Sequence, residues 1–169
     1  MTARPNRKKA LIIVDVQKAF VSPRNMHVVK NIEKLLKSTA YDLYVATIFH
    51  AEKGSIWDKQ QKWTRPKSKD TITLPEIRKQ LEGKNVIFIE KETKSVFKGK
   101  PDITNYLKRK RIEEIHVVGY QTDDCVLATA YESFDLGFLT YVVENCCQSS
   151  SGKLHKEALS LLRHQNMVI

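Results

Sequence analysis

The sequence predicts an α/β fold, a three-layer sandwich whose central, mostly parallel sheet of five or six strands carries helices on both faces. Short β-rich apolar runs alternate with helical patterns along the chain. The runs are continuously apolar, as in strands that are buried on both faces. No internal repeat or linker interrupts the 169 residues. We therefore expect one domain over residues 1–169, with residues 1–8 forming a flexible basic tail.

Five apolar, β-rich runs are predicted to be strands. In chain order they are Ala10–Val14, Leu43–Ile48, Val86–Ile89, Ile115–Val118 and Leu139–Val143. A final apolar stub, Met167–Ile169, is a candidate sixth strand at the edge of the sheet.

Between the strands lie five stretches with helical periodicity. They are Val28–Ser38, Leu74–Leu81, Ile103–Lys110, Val126–Asp135 and Lys153–Arg163. Strands that alternate with helices in this way form parallel sheets, and ligands bind beyond the carboxyl ends of such strands. Asp15, Lys91 and Cys125 each lie just past the end of a predicted strand.

The composition is that of a globular protein, with 41% hydrophobic and 28% charged residues. No apolar run approaches the length of a membrane span, and the basic N-terminus MTARPNRKK lacks a signal-peptide h-region and cleavage site, so we expect no secretion. The three cysteines form no disulfide framework and lack zinc-site spacing, which favours a reducing, cytoplasmic location. The net charge of +10 is spread along the chain without a nucleic-acid motif, so we expect neither a nucleic-acid nor a membrane partner.

Cys125 follows the cap-rich turn Thr122–Asp124 and falls in the first turn of the fourth predicted helix. Unpaired N–H groups and the positive end of the helix dipole favour an anion there, so the position suits a reactive thiolate. The alternative is an inert, buried cysteine, which is the commoner fate of this residue.

Three motifs resemble those of the isochorismatase-like cysteine hydrolases, a family that includes the nicotinamidases. The first is Asp15 with Gln17 and Phe20, and the second is Lys91 with Ser95 and Phe97. The third comprises Gly119, Thr122, Cys125, Val126, Thr129 and Ala130, followed by Gly137 and the strand TYVVENCCQS. The resemblance extends from about Lys9 to the C-terminus.

The resemblance implies a hydrolase that uses no cofactor and cleaves a C–N bond in a small metabolite. Cys125 would be the nucleophile, Asp15 the general base, and Lys91 the cation between them. The backbone N–H groups of Gln121 and Cys125 would form the oxyanion hole, beside a cis peptide bond between Tyr120 and Gln121. Lys91 and the helix end should lower the pKa of Cys125 below the free value of about 8.5, although Asp15 opposes this. The family also implies a homo-oligomer, a dimer or tetramer.

The sequence departs from the nicotinamidase pattern after the second strand. Nicotinamidases carry an Asp and two His that bind a metal, whereas TIFHAEKGSIWDKQQKW contains His50 as its only histidine and has no Asp-x-His pair. We therefore expect the metal-free branch of the family, with no metal site. The expected pocket residues are Phe20, Trp57, Phe97 and Tyr120, and Phe49 and Trp63 are further candidates; an ordinary core position is the alternative for each aromatic ring.

Three other functions fit the sequence. The chain could hydrolyse a vinyl ether, as isochorismatases do, or it could be a non-catalytic α/β interaction module of the same fold. A nucleic-acid binder, suggested by the charge, predicts an affinity that falls steeply with salt. The substrate is left open between isochorismate, an N-carbamoyl compound, a ureide and other metabolites.

Overall fold

The fold is built on a five-stranded sheet in which every strand is parallel to its neighbours, in the order β3-β2-β1-β4-β5. A computed structural model describes residues 7–169, so residues 1–6 of the predicted tail lie outside the described part. The strands are β1 (Lys9–Val14), β2 (Leu43–Phe49), β3 (Val86–Lys91), β4 (Glu114–Tyr120) and β5 (Leu139–Gln148).

Four α-helices connect the strands and a fifth follows β5: α1 (Met26–Ser38), α2 (Pro75–Leu81), α3 (Thr104–Arg109), α4 (Leu127–Asp135) and α5 (Gly152–His164). The predicted fold class is confirmed. The main difference in the strands is β5, which continues five residues beyond its predicted end. The C-terminal stub adds only a single parallel bridge, between Val168 and Val142.

Both faces of the sheet are covered, so the core lies in two layers. The residues of α1 and α2 pack on one face around Leu11, Ile13 and Val118. The residues of α3, α4 and α5 pack on the other face around Ile12, Val14 and Val117. The alternation of β1 side chains between the two layers explains why this strand is apolar throughout.

The centre of the sheet is unusually tight where β1 and β4 end. Gly119 pairs with Val14, and a Cβ atom at Gly119 would lie 2.0 Å from the Val14 carbonyl oxygen. Its φ of +117° also lies in the region that favours glycine. Because the two strands approach each other closely here, Asp15 and Gln121, the residues that follow them, lie near each other.

Within residues 7–169, no helix has the length and apolar character needed to cross a membrane.

Candidate active site

Asp15 is the first residue after β1, and it is almost completely buried, with 1% of its surface exposed. Its backbone is left-handed, with φ of 51°, which turns the chain sharply as it leaves the strand. Thr47 of β2 holds it from the neighbouring strand. The Asp15 N–H donates to Thr47 Oγ1 at 2.8 Å, and the Thr47 hydroxyl donates to Asp15 Oδ1 at 2.5 Å.

Lys91 is the last residue of β3, and its side chain is completely buried. The ammonium group donates to Asp15 Oδ2 at 2.8 Å and to the Thr93 carbonyl at 2.9 Å. It also lies 4.8 Å from the centre of the Phe49 ring, a cation–π distance. Burial disfavours the charge, but Asp15 and Cys125 outweigh it and raise the pKa of Lys91 above its usual value. The pair is therefore an ammonium and a carboxylate enclosed in protein.

Cys125 lies in a π-helical turn, Thr122–Val126, that leads directly into α4. Its thiol is buried, with 6% exposed, and close enough to Asp15 and Lys91 for both charges to act on its pKa. The expected lowering of this pKa is wrong. Burial and the negative charge of Asp15 raise the pKa of Cys125 well above its usual value, although Lys91 pulls it down. The proton therefore stays on the resting thiol.

The turn before Cys125 is closed by its own backbone. The Gln121 carbonyl accepts hydrogen bonds from the N–H groups of Asp124 and Val126, both at 3.1 Å. The Tyr120–Gln121 peptide bond is cis. Helix α5 supports the turn from outside, because His155 Nδ1 lies 2.9 Å from the Thr122 hydroxyl. The amide of Cys125 lies between the N–H groups of Asp124 and Val126, in the same turn.

An aromatic cluster covers the side of the site that faces Lys91. The Phe49 ring contacts Phe20, Trp57 and Trp63 at centroid distances of 6.0, 5.1 and 5.8 Å. Trp57 opens a second π-helical turn, Trp57–Gln61, and its indole N–H donates to the Glu92 carbonyl. Phe20 and Trp57 thus lie near the ion pair.

A groove of about 400 Å³ lies between the Trp57 turn, the loop after β3 and helix α4. Trp57 and Ile56 line one wall, Thr93 to Ser95 line a second, and Ala128 and Glu132 line the third. Lys94 also lines the groove, and its ammonium pairs with Asp124, the residue before Cys125. The groove therefore reaches the turn that carries the thiol, but Cys125 is not among its lining residues, whereas we expected the thiol itself to line an open pocket.

Two of the expected pocket residues are core residues in the structure. The Phe97 ring is buried and stacks on Phe138, with ring centres 6.4 Å apart. The Tyr120 side chain is fully buried, and its hydroxyl donates to the Asn25 carbonyl at 2.9 Å. A sequence motif at the end of a strand does not show whether its side chains are buried, so the sequence did not indicate that these two rings belong to the core.

The segment after β2 begins at His50, its only histidine. Within residues 7–169, no group of three or more His, Cys, Asp or Glu side chains is arranged to hold a metal ion. His50 instead lies beside acidic side chains, with its Nδ1 3.3 Å from Glu92 Oε1. Phe49, the residue before His50, has a buried ring that lies against the Lys91 ammonium.

Two features of the site escaped the sequence reasoning. The first is Thr47, which interrupts the otherwise apolar strand sequence LYVATIF and orients Asp15. A threonine in such a strand could have indicated this polar role. The ion pair between Lys94 and Asp124 joins residues 30 positions apart, and no local pattern marks it.

Comparisons with known proteins agree with the fold and with the family that the sequence resembles. The family model described as the isochorismatase domain matches residues 9–169. An uncharacterized isochorismatase family protein of Bacillus subtilis, YrdC, is 32% identical over 143 residues, which cover 82% of this chain and 72% of that protein.

Solved structures with the same fold include enzymes of known type. The pyrazinamidase/nicotinamidase of Streptococcus mutans superimposes with a TM-score of 0.80 and 25% identity, covering 96% of this chain and 100% of that one. The pyrazinamidase of Pyrococcus horikoshii in complex with zinc gives 0.75 and 20% identity, covering 96% and 98% of the two chains. The second likeness shows the fold alone.

Proposed function

This chain belongs to the isochorismatase family of hydrolases, and we propose from that premise that it is a cysteine hydrolase that cleaves a C–N bond in a small amide-like metabolite. The observation that carries the proposal is the enclosed arrangement of Asp15, Lys91 and Cys125 at the carboxyl ends of three strands. A carboxylate, an ammonium and a thiol in mutual contact supply a base, a fixed positive charge and a nucleophile.

In the first step, the Cys125 sulfur attacks the carbonyl carbon while Asp15 takes the thiol proton. A C–S bond forms, and the carbonyl electron pair moves to oxygen. The raised pKa of the thiol means that little thiolate exists at rest, so the proton must leave as the bond forms. Lys91 keeps its proton because its pKa is raised, and its ammonium donates to Asp15 Oδ2 and holds the carboxylate in place to accept the thiol proton.

The negative oxygen of the intermediate requires preorganised donors. The backbone N–H groups of Gln121 and Cys125 are the proposed donors, since Gln121 directly precedes the closed turn and Cys125 lies within it. When the intermediate collapses, the C–N bond breaks and Asp15 returns its proton to the departing nitrogen. Water then attacks the thioester with Asp15 again as base, and the Cys125 thiol is restored.

The groove beside Cys125 supports a substrate with an apolar portion. Trp57, Ile56 and Ala128 give it apolar walls, and the charges at its rim are paired, Lys98 with Glu132 at 2.8 Å. A flat or aliphatic group would lie against Trp57 while its carbonyl reaches the thiol. Phe20, whose ring centre lies 6.0 Å from that of Phe49, is the second proposed wall of the site.

The test is a hydrolysis screen over small amides, ureides and vinyl ethers with the wild-type protein and two cysteine variants. We expect turnover of an amide or ureide that Cys125→Ala abolishes. Cys146→Ala is the matched control, because Cys146 is also buried but packs on the other face of the sheet, among the residues around Leu11 and Val118. It should retain activity.

The outcomes separate the alternatives. Turnover confined to vinyl ethers would replace the amide proposal with an isochorismatase-type reaction. Activity that survives in Cys125→Ala would remove Cys125 as the nucleophile. If no compound in the screen is turned over and none forms a covalent adduct on Cys125, the non-catalytic module would be favoured.

Three further expectations stay predictions. They are a single catalytic domain over residues 1–169, a homo-oligomeric assembly and a cytoplasmic location.

A further inference from the structure

A second lysine–aspartate pair lies beside the thiol, outside the triad. Lys94 follows Lys91 by three residues, and its ammonium pairs with Asp124 Oδ1. Asp124 directly precedes Cys125 in the π-helical turn. The pair is partly exposed, with 51% of the Lys94 side chain and 27% of the Asp124 side chain accessible. The last residue of β3 and the loop after it thus each supply a lysine, one to each of the two acids that act on the thiol, Asp15 and Asp124.

Lys94 also contacts the aromatic segment. Its ammonium lies 4.8 Å from the centre of the Trp57 ring, and both residues line the groove. Trp57 is itself tied to the same loop, through the indole N–H that donates to the Glu92 carbonyl. Lys94 therefore joins three parts of the site: the loop after β3, the turn that carries Cys125, and the turn that begins at Trp57.

The charged groups around Cys125 come from several elements. Asp15 follows β1, Lys91 ends β3, and Asp124 lies on the turn itself. On the α5 side, His155 bonds to Thr122 of the same turn, and burial lowers its pKa, which favours the neutral ring. Across the groove, Lys98 and Glu132 neutralise each other. Among these groups, Asp124 is the acid next to the thiol in sequence, and Lys94 is the cation bound to it.

We propose that Lys94 is a positioning residue for the Cys125 nucleophile: it neutralises Asp124 beside the thiol and holds Trp57 against the turn. The inference rests on the proposed role of Cys125. Without Lys94, the Asp124 carboxylate would act on the thiol uncompensated, and a thiolate forming at Cys125 would meet two negative neighbours, Asp15 and Asp124. The raised pKa of Cys125, to which Asp124 contributes, supports this direction.

The experiment measures the rate of Cys125 alkylation by iodoacetamide from pH 7 to pH 10.5, with peptide mapping by mass spectrometry, and needs no substrate. Lys94→Gln should move the profile upward by about half a pKa unit, or roughly threefold slower alkylation on the acid side. Asp124→Asn should move it downward by a similar amount. The double variant should return to the wild-type profile, because it removes both charges. Lys94→Arg should keep the wild-type profile, since the charge is retained.

The matched control is Lys9→Gln, which breaks the partly exposed pair of Lys9 with Glu114 at 3.0 Å, at the first residues of β1 and β4 and therefore at the end of the sheet opposite Cys125. It should leave the profile unchanged. A Lys94→Gln profile equal to wild type, or a double variant that fails to return, would overturn the inference and leave the proposed function standing. Labelling confined to Cys146 and Cys147 would instead remove Cys125 as the nucleophile, and the inference would fall with it.

Discussion

Removal of Lys91 should destabilise the fold strongly because it leaves a buried carboxylate without its partner. The ammonium lies 2.8 Å from Asp15, and the two side chains are 0% and 1% exposed. Their attraction is roughly 6 kcal/mol at an effective dielectric constant of about 20, but both charges also lose their hydration. The net effect of the intact pair is therefore small, whereas breaking a buried pair from one side costs about 3–5 kcal/mol.

The assay is urea unfolding at pH 7 of Lys91→Met, Asp15→Asn and the double variant. Each single change should lower the free energy of unfolding by about 3–5 kcal/mol, since one charge stays buried. The double variant should lose far less than the sum of the two. Lys18→Met is the control, because the Lys18–Asp70 pair is mostly exposed, at 3.2 Å, and contributes little.

Two results would refute this reasoning. If the double variant lost the full sum of the single effects, the two side chains would not be energetically coupled. If Lys91→Met cost as little as Lys18→Met, the ammonium would not compensate a buried charge. Either result would also weaken the proposed mechanism, in which the Lys91 ammonium pairs with the Asp15 carboxylate and holds it in place.

The remaining predictions concern pH, packing and assembly. Burial raises the pKa of Cys146 from 9.0 to about 11, and the pKa of Lys91 is also raised. Each of these protonated groups therefore contributes to the free energy of unfolding at neutral pH, and that contribution is lost as the pH rises. The unfolding free energy should fall from pH 8 to pH 10, and by about 1 kcal/mol less in Cys146→Ala. Gly119→Ala should cost at least about 3 kcal/mol in urea unfolding because of the clash with Val14 and the positive φ, whereas Gly152→Ala, which meets nothing within 4 Å, should change little. Sedimentation should give a mass above that of the 19.5 kDa chain, and a mass equal to it would exclude the oligomer.

The fold was predictable because hydrophobic patterning and topology agree. In β1, Ala10 to Val14 are fully buried, so the strand carries no polar face and reads as a central parallel strand. The positions of Asp15, Lys91 and Cys125 follow from the same rule, since parallel strands end at one edge. Element bounds were less certain because the polar tail of β5, from Glu144 to Gln148, has no continuous apolar signal.

The details of the site depended on packing that no local pattern encodes. The ring of Phe97 belongs to a motif but is covered by Phe138, which lies 41 residues later. The pKa of Cys125 depends on a balance between burial, Asp15 and Lys91, and residue types alone give the signs of these effects without their sizes. The helix end and the lysine favour a thiolate, but burial prevails because the thiol is only 6% exposed.

A neutral resting thiol fits the proposed chemistry better than a preformed thiolate would. A thiolate at Cys125 would place a second negative charge against Asp15 in a buried site that holds a single enclosed ammonium, Lys91. Transfer of the proton to Asp15 as the C–S bond forms instead moves the negative charge from the carboxylate to the substrate oxygen. The site then never holds two uncompensated anions, because the new charge is met by backbone N–H groups. The thiol also gains protection, since alkylating and oxidising reagents react with the thiolate. Reactivity would therefore arise only when a carbonyl is in place to receive the electron pair.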